Sequence, residues 1–171
     1  EFWQNQSAQF AFATQGVASP LVANGSRVAL LRADFIHRGR PGDSPVSLAT
    51  FVVNFEQTPG DPLTAGEANA LIDNLHLYVD DGSGSFEAGA DSPILTHGTI
   101  VGGGADSFFL ASTADPRLQG AQGASKSFFM VADITANASS QVPSNFIISQ
   151  INWTSSARDA MSGRQLVGQM L

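Results

Sequence analysis

Residues 75–91 read LHLYVDDGSGSFEAGAD, and this stretch decides the fold class. Leu75, Leu77 and Val79 alternate with His76, Tyr78 and Asp80. A period of two puts the aliphatic side chains on one face of a β-strand. The run then stops in Asp, Gly and Ser, which make turns because Gly tolerates positive φ and the short polar side chains bond nearby main chain.

The same alternation of strand and turn recurs in both directions. Residues 26–38, SRVALLRADFIHR, place Ala29, Leu31, Ala33 and Phe35 on one face, and Gly39, Pro41, Gly42 and Pro45 break the chain after them. Residues 47–56, SLATFVVNFE, do the same with Phe51, Val53 and Phe55. Further strands are expected over 94–101, 106–112, 126–135 and 145–155, with the tail 157–171 as a possible last strand. One helix is expected over 64–74, where Thr64 and Glu67 have the spacing of a capping box and Ala68, Leu71 and Ile72 form a short apolar stripe. Many short strands separated by Gly, Pro, Asp and Ser predict an antiparallel all-β sandwich.

The first residues stand apart. EFWQNQSAQF is uncharged after Glu1 and carries Phe2, Trp3 and Phe10, with Phe12 close behind, and strand alternation begins at Gln9. Residues 1–15 are therefore read as an extended N-terminal arm and 16–171 as the sandwich. Phe2, Trp3, Phe10 and Phe12 are the expected anchors of the arm in a neighbouring copy. The competing expectation is that residues 9–19 are the first strand of their own domain.

At 171 residues with 43% hydrophobic and 13% charged content, the chain can bury one sizeable core and has little charge for its surface. A net charge of −7 disfavours nucleic-acid and anionic-membrane partners, which require a basic face. No cysteine is present, so disulfides and thiolate chemistry are excluded. No run approaches the roughly 18 apolar residues of a membrane span. The first ten residues lack the basic end and apolar stretch of a signal peptide, so the chain reads as a mature or excised protein.

The densest set of oxygen ligands is Asp80, Asp81, Ser83, Ser85, Glu87 and Asp91. With Asp73 the segment holds 5 of the 15 acidic residues. Hard cations such as Ca2+ take six to eight oxygens from flexible loops, which makes this a candidate structural calcium site. The alternative is a hairpin loop whose Asp and Ser side chains bond their own backbone.

The stretch LTAGEANALIDNLHLYVDDGSGSFEAGAD resembles a recurring segment of large secreted bacterial surface proteins, in which a Leu-Tyr-x-Asp strand end runs into an Asp/Asn/Gly loop. The resemblance extends through ALLRADFIHRG and FFMVADITANASSQVPSNFIIS, covering roughly residues 26–150. It implies an immunoglobulin-like β-sandwich in an exported protein, at the cell surface or outside the cell, without enzymatic activity. This chain has Asp81 and Ser83 where Asn is commoner, and Ala90 inserted before Asp91.

Catalytic patterns do not stand out. His37, His76 and His97 show no metal-ligand spacing, no Gly-x-Ser-x-Gly elbow occurs, and Gly102-Gly103-Gly104 lacks the Lys of a phosphate loop. Four Asn-x-Ser/Thr sequons, at Asn5, Asn24, Asn137 and Asn152, are candidate glycosylation sites. The leading expectation is a structural subunit of an extracellular filament, pilus or surface layer that assembles by strand exchange between copies. Two others stand beside it: a polysaccharide-binding module using Trp3, Trp153 or Tyr78, and a passive spacer domain.

Overall fold

The computed structural model describes residues 9–101, 104–110, 115–151, 154–166 and 168–170. Strands take 49% of the described residues and helices 9%, so the fold is all-β. In chain order the elements are β1 (Phe10–Gly16), β2 (Arg27–His37), β3 (Val46–Thr58), β4 (Asp61–Pro62), α1 (Ala65–Leu71), β5 (Ile72–Val79), β6 (Ser92–His97), β7 (Ala105–Phe109), β8 (Gln119–Gly120), β9 (Ser125–Ile134), β10 (Ile147–Gln150), β11 (Ser156–Asp159) and β12 (Gly168–Met170).

Two sheets form the sandwich. The first runs β12-β1-β2-β9-β5-β6. The second is built on β3, whose 13 residues serve as common partner for β4, β7, β8, β10 and β11. Pairing is antiparallel except between β12 and β1, where Phe10, Ala11 and Phe12 lie parallel to Gly168, Gln169 and Met170. Gly168 is required there, because a Cβ would sit 2.7 Å from the Phe10 ring.

One face of each sheet is apolar, and the two faces pack against each other. Phe10, Phe12, Leu31, Ala33 and Phe35 from β1 and β2 join Leu75, Leu77, Phe128, Met130 and Ala132 from β5 and β9. Opposite them lie Leu48, Phe51, Val53, Phe55 and Phe108. Phe12 is the pivot, with its ring centroid 5.4 Å from Phe35 in its own sheet and 5.8 Å from Phe51 in the other.

The segment expected to be an arm is thus divided. Residues 10–16 pair with β2 along their whole length, from Phe10 opposite His37 to Gly16 opposite Leu31. Phe10 and Phe12 are 3% and 2% exposed. They fill the core of their own chain, so they are not anchors for a neighbour, and the sandwich begins at Phe10 instead of residue 16. The physical reason is the register: Phe10 and Phe12 point to the same face as Phe35, where leaving them exposed would cost about 1.5–3 kcal/mol each. Phe2 and Trp3 lie outside the described residues.

Other boundaries moved for local reasons. The capping box forms as expected, with Glu67 N donating to the Thr64 hydroxyl and the Glu67 carboxylate accepting from Thr64 N. The helix stops at Leu71 instead of 74, because β-branched Ile72 already has extended backbone (φ −127°, ψ 119°) and pairs with Ile134. In β2 the register shifts between Ala29 and Leu31, so Leu30 and Leu31 are both buried in the core while Ala29 turns to the outer face. Of the strand expected over 145–155, the described residues form the shorter β10; beyond it Ser155 Oγ accepts from Val52 N and donates to Ile151 O, and a separate strand, β11, starts at Ser156.

Truncating Phe12 to Ala is expected to destabilise the fold by about 3–5 kcal/mol in urea unfolding. Phe109→Ala, at a ring 72% exposed, should stay within about 0.5 kcal/mol of the parent.

Candidate functional site

The loop between β5 and β6 holds the expected cation ligands. Asp80 and Asp91 flank it, and Gly82 and Gly84 take positive φ (108° and 79°) to fold it back. The Asp80 carboxylate accepts from Gly82 N at 3.0 Å and from Gly84 N at 3.2 Å. Asp81 Oδ1 accepts from Ser83 N at 2.9 Å. Asp91, 4% exposed, accepts from Asp81 N on one oxygen and from Glu87 N on the other. The loop is therefore organised by its own carboxylates, each satisfying main-chain N–H groups that the tight turns leave without sheet partners.

Three of the six expected ligands converge. One carboxylate oxygen each from Asp80, Asp81 and Asp91 lies within 4.8 Å of the other two. Ser83, Ser85 and Glu87 are not part of that group: Ser83 Oγ donates to the Ser85 carbonyl at 2.9 Å, and Glu87 joins the loop through its main-chain N–H, which donates to Asp91. The donor chemistry fits a hard cation, since all three side chains are carboxylates and only Asp80 Oδ1 accepts two N–H groups, leaving lone pairs on the other oxygens.

The sequence reading missed what ties this loop down. Phe86 turns back onto the outer face of the first sheet, with ring centroids 5.2 Å from Tyr78 and 5.9 Å from Phe129. With Val131 and Ala29 these form a second, smaller apolar cluster. Arg32 adds a staple from β2, donating to the Gly84 carbonyl at 3.1 Å while pairing with Asp34 and bonding Ser127 Oγ. The available signal was the aromatic pair at the loop, Tyr78 just before it and Phe86 within it. Tyr78 is 5% exposed beneath Phe86, which removes it as a platform for sugar rings. Trp3 and Trp153 lie outside the described residues.

The three histidines are brought to three separate structural positions. His37 holds the turn after β2, its Nδ1 accepting from Gly39 N and its Nε2 donating to the Ser44 carbonyl. His97 reaches across from β6 to the other sheet, where it stacks on Phe108 (centroids 4.3 Å apart) and bonds Asp106, 2.8 Å away. His76 sits on the outer face between Thr96 and Asp133.

Asp133 is the most connected side chain of that outer face. Arg27 grips it with two donors at 2.6 and 2.9 Å, and Asn74 and His76 approach the same oxygen at 3.1 and 3.0 Å. The Arg27 hydrogen bond, with lesser help from His76 and Asn74, holds its carboxyl well below the usual aspartate range. Near the β11 turn, Asp159 is likewise lowered, to about 2, chiefly by the Ser44 hydroxyl and then by Ser162. Each of these clusters ties one strand or turn to another.

Of the sequons, Asn24 and Asn137 are exposed. The Asn24 amide is engaged with Ser139 through bonds of 2.8 and 3.0 Å. Asn5 and Asn152 lie outside the described residues. No helix among the described residues is long and apolar enough to cross a membrane.

The fold and these clusters define an all-β sandwich with a carboxylate-organised loop folded against its outer face. Neither a protein-family model nor a curated protein matches this chain.

A depressed carboxyl stabilises the fold above its unfolded pKa of about 3.9, and that stability is lost as pH falls through the lower folded value. Asp133→Asn is therefore expected to cost about 1–3 kcal/mol at neutral pH. The gap to the parent should narrow as the pH of chemical-denaturation curves falls below about 4.

Proposed function

We propose that this chain is a structural module of an exported protein, serving as a subunit of an extracellular filament, pilus or surface layer. Its contacts with neighbours are made by surface association, not by exchange of residues 10–16. The observation that carries the reading is the distribution of exposed apolar side chains. Of eight large hydrophobic residues exposed among the described residues, Val17, Leu21, Val22, Val142 and Ile147 fall in the two segments 17–24 and 138–148. Apolar exposure concentrated at one end of a sandwich marks an interaction surface. The extracellular location rests on the resemblance carried by residues 63–91 and their flanks, roughly 26–150.

A non-catalytic role agrees with how the titratable groups are spent. His37, His76, His97, Asp106 and Asp133 are each hydrogen-bonded within the fold. Purified protein should associate in a concentration-dependent way by light scattering and form regular fibres or sheets by electron microscopy. A chain that stays monomeric at every concentration would instead be a spacer domain.

The loop of Asp80, Asp81 and Asp91 is the place where a structural calcium ion would bind in this module. Binding at a hundredfold excess over Kd stabilises the folded state by about 2.7 kcal/mol. In a chain of this size that is a rise in Tm of roughly 5–10 °C. Asp81→Asn keeps an acceptor for Ser83 N but removes a ligand charge, and is expected to abolish the rise. An identical Tm in calcium and in chelator would reject the ion.

A further inference from the structure

The apolar end of the sandwich contains a groove of about 380 Å³. Its floor is the edge of the core, Leu30, Leu71 and Ile134, and Phe146 and Ile148 also line it. Asn24, Ser139, Ser144 and Asn145 supply polar groups around it, and among the described residues no charged one lines it. Uncharged walls suit a contact between copies of a chain of net charge −7, because the net repulsion between two copies is least where neither carries charge.

One segment of the chain matches those walls. Residues 2–8, FWQNQSA, are uncharged, pair two large aromatic side chains with Gln4, Asn5 and Gln6, and lie outside the described residues. Aromatic anchors suit the apolar floor, and the amides suit the Asn and Ser rim. The described chain starts at Gln9, whose carbonyl accepts from Arg38 N at the end of β1 where Phe10 faces His37. The groove lies beyond the other end, past Gly16, where 18–24 form one of its walls.

The span decides which copy is served. β1 is seven residues, about 23 Å. Eight residues reach at most ~26–29 Å when fully extended. Within one protomer the segment would spend nearly its whole length running back beside β1, whose two edges are already taken by β2 and β12. A neighbour stacked end to end presents its groove directly to the segment.

We propose that this groove receives residues 1–8 of a second copy, with Phe2 and Trp3 seated on Leu30, Leu71 and Ile134. The contact is head-to-tail, with donor and groove at opposite ends of β1, so copies stacked along the strand direction extend as an open filament and not as a two-fold dimer. This inference rests on the reading of the chain as a self-assembling structural module and names the joint it uses.

The test is complementation between two full-length variants, followed by sedimentation. Phe2→Ser with Trp3→Ser removes the anchors. Leu21→Ser with Ser144→Glu spoils the groove at two exposed positions, where the fold is not at stake. Wild type should form open-ended oligomers, and each variant alone should associate at least about tenfold more weakly, a loss of 1.4 kcal/mol or more. Mixing the variants should restore one productive joint per pair and yield a discrete heterodimer. Phe109→Ser, in the separate groove beside β6 and β7, should polymerise like wild type. If either joint variant alone polymerises as wild type, or the mixture stays monomeric while wild type polymerises, the groove is not the joint, although assembly stands. If wild type itself never associates, the assembly reading fails with it.

Discussion

The placement of Phe12 between two sheets is the constraint on which the rest of the molecule depends. Its ring meets Phe35 on one side and Phe51 on the other, so a single side chain from the first strand bridges the layers. Phe10 extends the contact, packing edge-on to Phe12 and against Phe35. Once β1 is committed in this way, it sits between β2 and β12 and cannot also be lent to another molecule without opening the core. Any association would have to use what remains exposed, and most of the exposed large apolar side chains among the described residues lie in segments 17–24 and 138–148.

The sandwich edges point the same way. Gly104 and Leu110 bond β3, which fixes the even-numbered residues of β7 toward β3 and turns the Ser107 N–H to the open edge. That N–H is taken by the carboxylate of Asp106 at 3.0 Å. On the facing edge, Pro93 of β6 has no N–H to offer, and its carbonyl accepts from Arg117. Both devices blunt edge-to-edge pairing. His97 and Asp106 also close the space between the sheets here, so the side bearing β6 and β7 is pinned from within and guarded from without.

Much of the fold was legible in the sequence because alternation reports burial directly. Leu75, Leu77 and Val79, and Phe51, Val53 and Phe55, all face the core as their spacing predicts. The capping box was legible because Thr64 and Glu67 act over three residues. Features set by long-range pairing were not. The bulge at Leu30 depends on β9 lying beside β2, and nothing in SRVALLRADFIHR marks where the parity flips. The alternation of residues 9–12 puts Phe10 and Phe12 on one face and leaves open both a neighbour's core and their own; pairing with β2 decides for their own. The acidic loop was half legible: its carboxylates were found, but which of them converge is decided by Gly82 and Gly84 and by Phe86 folding onto Tyr78.

Whether β1 belongs to its own protomer is read directly by hydrogen exchange. In dilute solution, where the protein is monomeric, the amides of residues 10–16 that bond β2 should be protected to nearly the level of the central β2–β9 ladder, with no dependence on concentration. Rapid exchange of those amides in the monomer, with protection appearing only as copies associate, would contradict the account.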